Sequence, residues 1–216
     1  METELKLAYD SLDELLAVQD KEWFIGLLLP DLPSHHKFVN SYYDTEDFIF
    51  RSQGAMVRVR DVEGDGFIHT VKASAGNKDG LHQRFEWNYE TDDEKFDSTR
   101  FLKFAESCID PFHILENILL PAAEAKLSCL FQTVFDRISY MVGYGNSIIE
   151  LSLDYGEIDV LERTEKICEM EIELVEGDVR DVISLGQYVL SNSSCRTENR
   201  SKYSRCFDIL NGGIQV

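Results

Sequence analysis

Charged and apolar residues alternate with a period of two in several separate stretches of the chain. In residues 2–7, Glu2, Glu4 and Lys6 would lie on one face of an extended backbone, and the residues between them on the other face. Such alternation is typical of β-strands. A chain with many segments of this kind is constrained to form sheets that have one polar and one apolar face.

Seven further segments have strand-like patterns, which gives eight predicted strands. These strands cover residues 2–7, 37–44, 55–61, 67–74, 82–90, 130–142, 147–157 and 165–175. Helical spacing predicts helices at about residues 11–29, 98–127 and 179–190, the second with breaks at Pro111 and Pro121. The fold class is therefore α+β and mainly β.

Eight antiparallel strands are enough for a sheet to close on itself and lose its edges. We therefore expect a closed eight-stranded antiparallel β-barrel, a tunnel with helices packed outside it. An open sheet would have the same set of strands.

Length, charge and cysteine content exclude several classes of protein. The 216 residues contain no repeat or linker, which predicts one domain over residues 1–216. The absence of a long apolar run and the charged N-terminus indicate a cytoplasmic protein with no membrane partner. Five cysteines without a C-x-x-C pair indicate neither a disulfide framework nor a zinc site. A net charge of −19 argues against nucleic acid as a partner, and we expect a monomer or homodimer.

The charged rows are sorted by sign from strand to strand. Arg58 and Arg60 share one face of a middle strand, whereas Glu169, Glu171 and Glu173 share one face of the last strand. A solvated sheet face is the simpler explanation for any single polar row. Sorted rows instead indicate a site in which Arg and Lys contact phosphate oxygens and Glu pairs hold Mg²⁺ or Mn²⁺.

An ordered series of motifs covers essentially the whole chain. The N-terminal M-E-T-E-L-K-L is followed by Y-Y-D-T, V-R-V-R, T-V-K, G-L-H-Q-R-F-E, F-D-R, L-D-Y-G, C-E-M-E-I-E-L and S-K-Y-S-R. This series resembles the CYTH superfamily, the triphosphate tunnel metalloenzymes, whose signature is E-x-E-x-K. The G-L-H-Q-R and S-K-x-x-R segments are most similar to the bacterial inorganic triphosphatase branch.

The resemblance implies a role for each charged position in the tunnel. The residues expected to bind the triphosphate are Lys6, Arg58, Arg60, Lys72, Arg84, Arg137, Lys202 and Arg205. The expected metal ligands are Glu2, Glu4, Glu171 and Glu173. The expected catalytic groups are Glu169, Asp154 and Lys6, the two acids as second-metal or water-positioning groups. Asn88 departs from the family pattern, since related proteins often continue the acidic row of Glu86 and Glu90 there.

The function implied by the resemblance is metal-dependent hydrolysis of a triphosphate-containing small molecule, with Mg²⁺ or Mn²⁺ as cofactor. The leading expectation is that inorganic tripolyphosphate is split into diphosphate and phosphate. The alternatives are a class IV adenylate cyclase, a thiamine triphosphatase, and a non-catalytic module that binds polyphosphate or nucleotides. The sequence shows no residue set for an adenine pocket, and the retained Glu pairs argue against a non-catalytic module.

Overall fold

The centre of the molecule is a ring of antiparallel strands. A computed structural model describes residues 1–62, 66–110, 113–160 and 163–212. Pro111, one of the two predicted helix breaks, lies outside the described residues. All eight predicted strands are present, most of them one to four residues longer than expected.

The elements follow one another in a simple order along the chain. The strands are β1 (Glu2–Tyr9), β2 (Ser34–Asp44), β3 (Ala55–Asp61), β4 (Phe67–Lys78), β5 (Leu81–Thr91), β6 (Ser128–Tyr144), β7 (Ser147–Val160), β8 (Arg163–Glu176) and β9 (Cys195–Thr197). The helices are α1 (Leu12–Leu16), α2 (Glu22–Ile25), α3 (Ile49–Ser52), α4 (Ser98–Ala105), α5 (Ile114–Leu119), α6 (Val179–Asn192) and α7 (Lys202–Leu210). None of these helices is long and apolar enough to cross a bilayer.

The ring closes through β1, which pairs with strands on both of its edges. The strands lie in the order β5, β4, β3, β2, β6, β7, β8 and β1, and β1 also pairs with β5. The short strand β9 follows β5 along the same edge of β1. The predicted closed eight-stranded antiparallel sheet is therefore confirmed.

The outward faces of the strands are apolar and are covered by helices. Leu7 of β1 and Leu151 of β7 pack with Leu185 of α6 in one cluster, and all three are fully buried. On the opposite side, Trp87 of β5 packs with Phe101 of α4. Each fully buried side chain of this size contributes roughly 2 kcal/mol to folding. Because the apolar residues point outward, the charged residues between them must point into the ring.

Helix α7 is an exception, because it packs across one end of the ring instead of on its outer surface. Phe207 lies 5.3 Å from Phe131 between ring centroids, and Cys206 is fully buried in the same cluster. Phe131 and Phe135 have the same strand parity as Arg137 and therefore face inward. The sequence patterns did not predict α7.

The predicted helix at residues 11–29 is broken into short pieces. After α1 and a 3₁₀ turn at Ala17–Asp20, Lys21 is extended with ψ 134°, and α2 begins at the next residue. The break lets Phe24 pack 5.0 Å from Tyr140 and lets Leu28 pair with Val142. The chain thereby follows the curved outer wall of the ring, which a straight helix would not do.

Candidate active site in the ring cavity

The inward-facing side chains enclose a cavity of about 580 Å³. Its lining contains five Glu and eight basic side chains, although the whole chain has a net charge of −19. The basic residues are Lys6, Arg51, Arg58, Arg60, Lys72, Arg84, Arg137 and Lys202. A net-positive wall inside a negative protein is suited to a polyanionic ligand.

One group of carboxylates lies where β1 meets β8. Oxygen atoms of Glu2, Glu4 and Glu173 lie within 4.8 Å of one another, because Glu4 and Glu173 are direct partners across the two strands. Glu2 accepts a hydrogen bond from Lys72 Nζ at 2.7 Å, and Arg84 forms an ion pair with Glu4.

Lys6, Lys72 and Arg84 pair with Glu2 and Glu4 of this first group, but Glu173 has no cation within 4.0 Å among the described residues. Burial, followed by repulsion from Glu2, raises the pKa of Glu173 to about 7. Glu2 Oε2 is buried and accepts no hydrogen bond from any described residue. Arg84 Nε lies 3.5 Å from that oxygen, too far for a hydrogen bond. Three convergent carboxylates of this kind are the donor set that Mg²⁺ and Mn²⁺ prefer, so the residues fit a hard divalent cation.

A second group of carboxylates is paired with lysine and arginine side chains of the protein itself. Lys202 Nζ lies 2.6 Å from Asp154 and Glu169 and 3.0 Å from Glu171. Arg137 donates two hydrogen bonds of 2.6 Å to Asp154. Burial alone would raise the pKa of the Asp154 carboxyl, but Arg137 and Lys202 hold it below its usual range. This group is therefore anionic and neutralised by the chain itself.

Arg58 and Arg60 project into the cavity from β3. Arg60 Nε donates to Asn40 Oδ1 at 2.9 Å, and no carboxylate among the described residues lies within 4.0 Å of its guanidinium. Burial, together with the charges of Arg58 and Arg137, holds the pKa of Arg60 well below its usual range. Arg58 lies 4.0 Å from Glu86, its nearest carboxylate. An anion in the cavity would relieve both the burial and the repulsion of these cations.

The structure brings most of the sequence-predicted site residues together. Of the eight cations predicted to bind the triphosphate, seven line the cavity. Arg205 instead lies behind the wall, where it donates to Glu165 at 2.7 Å and to Glu169 at 2.9 Å. Asp154 and Glu169 are also buried behind Lys202. The roles assigned to these three residues stay predictions.

Glu171 is separated from the other predicted metal ligands. It lines the cavity, but its carboxylate contacts Lys6, Arg137 and Lys202 and not the oxygens of Glu2 and Glu173. Lys6 lies between the two groups, 3.2 Å from Glu4 and in contact with Glu171. Whether Glu171 binds metal or orients these cations stays a prediction.

Some lining residues were not found from the sequence. Asn40 and Tyr42 face the cavity from β2. They are two residues apart, and this spacing is the sequence signal that could have placed them on the same inward face. Arg51 belongs to α3, which had no sequence pattern of its own. The buried Asp44 begins that helix by accepting hydrogen bonds from the N–H groups of Phe50 and Arg51, each at 3.0 Å.

Comparison with known proteins agrees with this geometry. A family model described as the CYTH domain matches residues 1–207. An inorganic triphosphatase from Haemophilus influenzae is 29% identical over 143 residues, which are 66% of this chain and 37% of that relative. The chain thus spans well under half the length of this relative.

Two solved structures have the same fold over nearly their whole length. A Hippeastrum protein, described as a putative adenylyl cyclase with a dominant triphosphatase activity, has a TM-score of 0.65 at 17% identity and covers 96% of both chains. A putative adenylate cyclase from Bacillus halodurans has a TM-score of 0.54 at 17% identity and covers 94% of this chain and 96% of its own. The predicted family is confirmed.

Proposed function

The chain belongs to the CYTH domain family, and from this membership we propose that it is a metal-dependent triphosphatase. The substrate proposed is inorganic tripolyphosphate, which is split into diphosphate and phosphate. One observation carries the proposal: Arg60, which has no carboxylate partner among the described residues, lines the same cavity as the three convergent carboxylates Glu2, Glu4 and Glu173. A complex of a polyanion with a divalent cation would neutralise both.

Glu2, Glu4 and Glu173 are the residues that would hold Mg²⁺ or Mn²⁺. The convergence of their oxygens within 4.8 Å and the raised pKa of Glu173 support this assignment. A divalent cation there supplies positive charge to phosphate oxygens and makes nearby water more acidic. Glu171 and Glu169 are proposed to hold Lys6 and Lys202 in place, because their oxygens contact those ammonium groups.

The basic residues are proposed to bind the triphosphate and stabilise the transition state. Phosphoryl transfer passes through a loose state with negative charge spread over several oxygens, so fixed positive groups stabilise it. Arg58 and Arg60 are proposed to contact the phosphates from β3, and Arg137 and Lys202 from the opposite wall. Each hydrogen bond from a charged donor is worth about 1.5–3 kcal/mol.

The test is release of phosphate from tripolyphosphate, ATP and thiamine triphosphate, assayed side by side. Each is measured with Mg²⁺, with Mn²⁺ and with a chelator. Metal-dependent release that is fastest from tripolyphosphate would support the proposal. Diphosphate and a cyclic nucleotide from ATP would favour a cyclase, and preferential cleavage of thiamine triphosphate would change the substrate. If no substrate reacts but tripolyphosphate raises the melting temperature, the cavity only binds.

A further inference from the structure

The segment at residues 198–201, between β9 and α7, is fastened to the junction of three strands. The N–H of Glu198 donates to the carbonyl of Lys6 at 3.0 Å, and the N–H of Lys6 donates to the carbonyl of Gly80 at 3.0 Å. Before Lys6 the edge of β1 pairs with β5, and after Lys6 it pairs with β9. The backbone that carries Lys6 therefore holds this segment directly.

Asn199 makes two contacts that determine where this segment lies. Its Oδ1 accepts a hydrogen bond from the N–H of Gly80 at 2.6 Å, and its carbonyl accepts one from Asn77 Nδ2 at 2.6 Å. In addition, His82 Nε2 lies 3.3 Å from the carbonyl of Glu198. Asn77, Gly80 and His82 all belong to the β4–β5 hairpin, so the segment is attached to a second rigid element.

There is little space at this junction for the segment to shift. Gly80 has φ +83°, and a Cβ built on it would lie 3.1 Å from the carbonyl oxygen of Lys6 and 3.2 Å from Thr197 Cβ. Contacts this short are tighter than ordinary van der Waals distances. The close approach fixes the hairpin against both β1 and the end of β9.

Lys202 directly follows this fastened segment. Ser201 caps α7 by accepting a hydrogen bond from the N–H of Ser204 at 3.1 Å, and Lys202 is the first helical residue. Its ammonium group then reaches Asp154 and Glu169 at 2.6 Å and lines the cavity. A displacement of the segment would move the start of α7 and, with it, this ammonium group.

We propose that Asn199 is a positioning residue that sets the place of Lys202 at the triphosphate. The inference rests on the proposed function, because it assumes that Lys202 contacts a phosphate. Without the side-chain oxygen of Asn199, the N–H of Gly80 loses its acceptor and the segment loses one of its three attachments to the hairpin. Lys202 then spends less time in the position that faces the ligand.

A double-mutant cycle tests this inference. The dissociation constant of tripolyphosphate is measured by calorimetry for Asn199→Ala, Lys202→Met and the double variant, with the melting temperature of each. We expect Asn199→Ala alone to weaken binding about tenfold. If it acts only through Lys202, it should weaken binding less than about twofold further in the Lys202→Met background.

Asn192→Ala is the matched control. It also removes a hydrogen bond between an asparagine side chain and the backbone, since Asn192 Nδ2 donates to the carbonyl of Tyr188 at 2.7 Å at the end of α6. We expect its binding to stay within about twofold of the unaltered chain. Should Asn199→Ala not fold, Asn77→Ala removes only the second attachment and should give a smaller loss that also disappears in the Lys202→Met background.

Three outcomes would overturn the inference. Unchanged binding by Asn199→Ala would show that the attachment does not matter for the ligand. An equal loss from Asn199→Ala in both backgrounds would show that Asn199 contacts the ligand itself. If the unaltered chain does not bind tripolyphosphate at all, the proposed function fails and this inference fails with it, whereas the first two outcomes leave the proposed function intact.

Discussion

At the scale of single residues, two side chains carry charges that the described protein does not neutralise. Glu173 lies beside Glu2 in the first carboxylate group, and Arg60 lies among the cations of β3. Their burial disfavours the charged form of each. Asp154 and Lys202 are more deeply buried than Glu173 and Arg60, but they are paired with each other at 2.6 Å. A ligand made of a metal ion and phosphate groups would neutralise these unpaired charges of both signs.

The first prediction concerns the pH dependence that Glu173 imposes on stability. Its pKa is raised from 4.5 to about 7 in the folded protein, so the folded state holds this proton more tightly than the unfolded state. The resulting contribution to the free energy of unfolding is complete below about pH 4.5 and is lost as the pH rises through about 7. The total loss is at most about 3 kcal/mol. Urea unfolding between pH 5 and 8, without divalent metal, measures this loss.

Glu173→Gln should remove this part of the pH dependence, because the amide does not titrate. Glu176→Gln, at the exposed end of the same strand, is the control and should leave it unchanged. Mg²⁺ or Mn²⁺ should restore stability above pH 7 in the unaltered chain but not in Glu173→Gln. An identical pH profile for the unaltered chain and Glu173→Gln would contradict the assignment.

The second prediction is that Arg60→Met makes the ligand-free protein more stable and its ligand binding weaker. Methionine removes a guanidinium that is buried next to Arg58 and Arg137, so the melting temperature should rise by a few degrees. The same change should weaken binding of tripolyphosphate at least about tenfold. Differential scanning calorimetry and titration calorimetry measure the two effects. A lower melting temperature together with unchanged binding would show that Arg60 is structural.

At the scale of elements, the strands could be predicted from the sequence and the helices only in part. A strand is recognised from residues two apart, and the period is clearest in β1, β3 and β8, where the inward row is charged and the outward row is apolar. The inward rows of β2 and β6 also contain uncharged side chains such as Tyr42 and Phe135. Helix α7 lacks such a signal, because it buries Lys202 and Arg205 beside Cys206 and Phe207 and has no purely apolar stripe. Its place across the end of the ring depends on tertiary contacts that local spacing does not encode.

The candidate site, like the set of elements, could be predicted from the sequence only in part. The two-residue alternation predicted that Arg58, Arg60 and Lys72 lie on one inner surface, and all three line the cavity. Spacing within a strand does not say which rows become neighbours in three dimensions. Thus Glu171 and Glu173 share a face of β8, yet the first contacts ammonium groups and the second lies with Glu2. That difference depends on how far each strand is displaced along its neighbour.

The third prediction concerns the junction between the β4–β5 hairpin and β1. Gly80→Ala should destabilise the fold by about 1–3 kcal/mol, because φ +83° strains a residue with a Cβ and the new atom would meet the carbonyl of Lys6 at 3.1 Å. Gly76→Ala, in the same hairpin, is the matched control, since its Cβ would meet nothing within 4 Å. Urea unfolding compares the two. Equal stabilities would show that the junction tolerates displacement.

At the scale of the whole molecule, charge is segregated between interior and exterior. Among the described residues, eight Lys and Arg side chains but five Asp and Glu side chains line the cavity, although the whole sequence has 21 Lys and Arg and 40 Asp and Glu. The remainder of the chain is therefore even more negative than the net charge of −19 suggests. Like charges on the exterior repel one another, and salt screens this repulsion more than it screens the buried ion pairs.

The fourth prediction follows from this segregation. Raising NaCl from about 20 mM to about 500 mM should raise the melting temperature by several degrees at pH 8, because the Debye length shortens from more than about 20 Å to about 4 Å. Repeating the measurement near pH 4.5, close to the pI, should remove most of the effect. A melting temperature that falls with salt at pH 8 would show that screened attractions outweigh the exterior repulsion.

Closure of the ring through β1 also determines when this protein can fold during its synthesis. Leu7 pairs with Met170 on one edge of β1 and with Thr197 on the other. Translation proceeds from the N-terminus, so the ribosome makes β1 long before either of these partners. At about 5–20 residues per second, several seconds pass between the synthesis of β1 and that of its partners. During that interval the edge of β1 that pairs with β8 stays open to wrong partners, whereas β5, which pairs with residues 2–5 on the other edge, is made much earlier. The eight-stranded ring can be completed only after β8 (Arg163–Glu176) has left the exit tunnel, which makes its assembly a late event governed by long-range contacts.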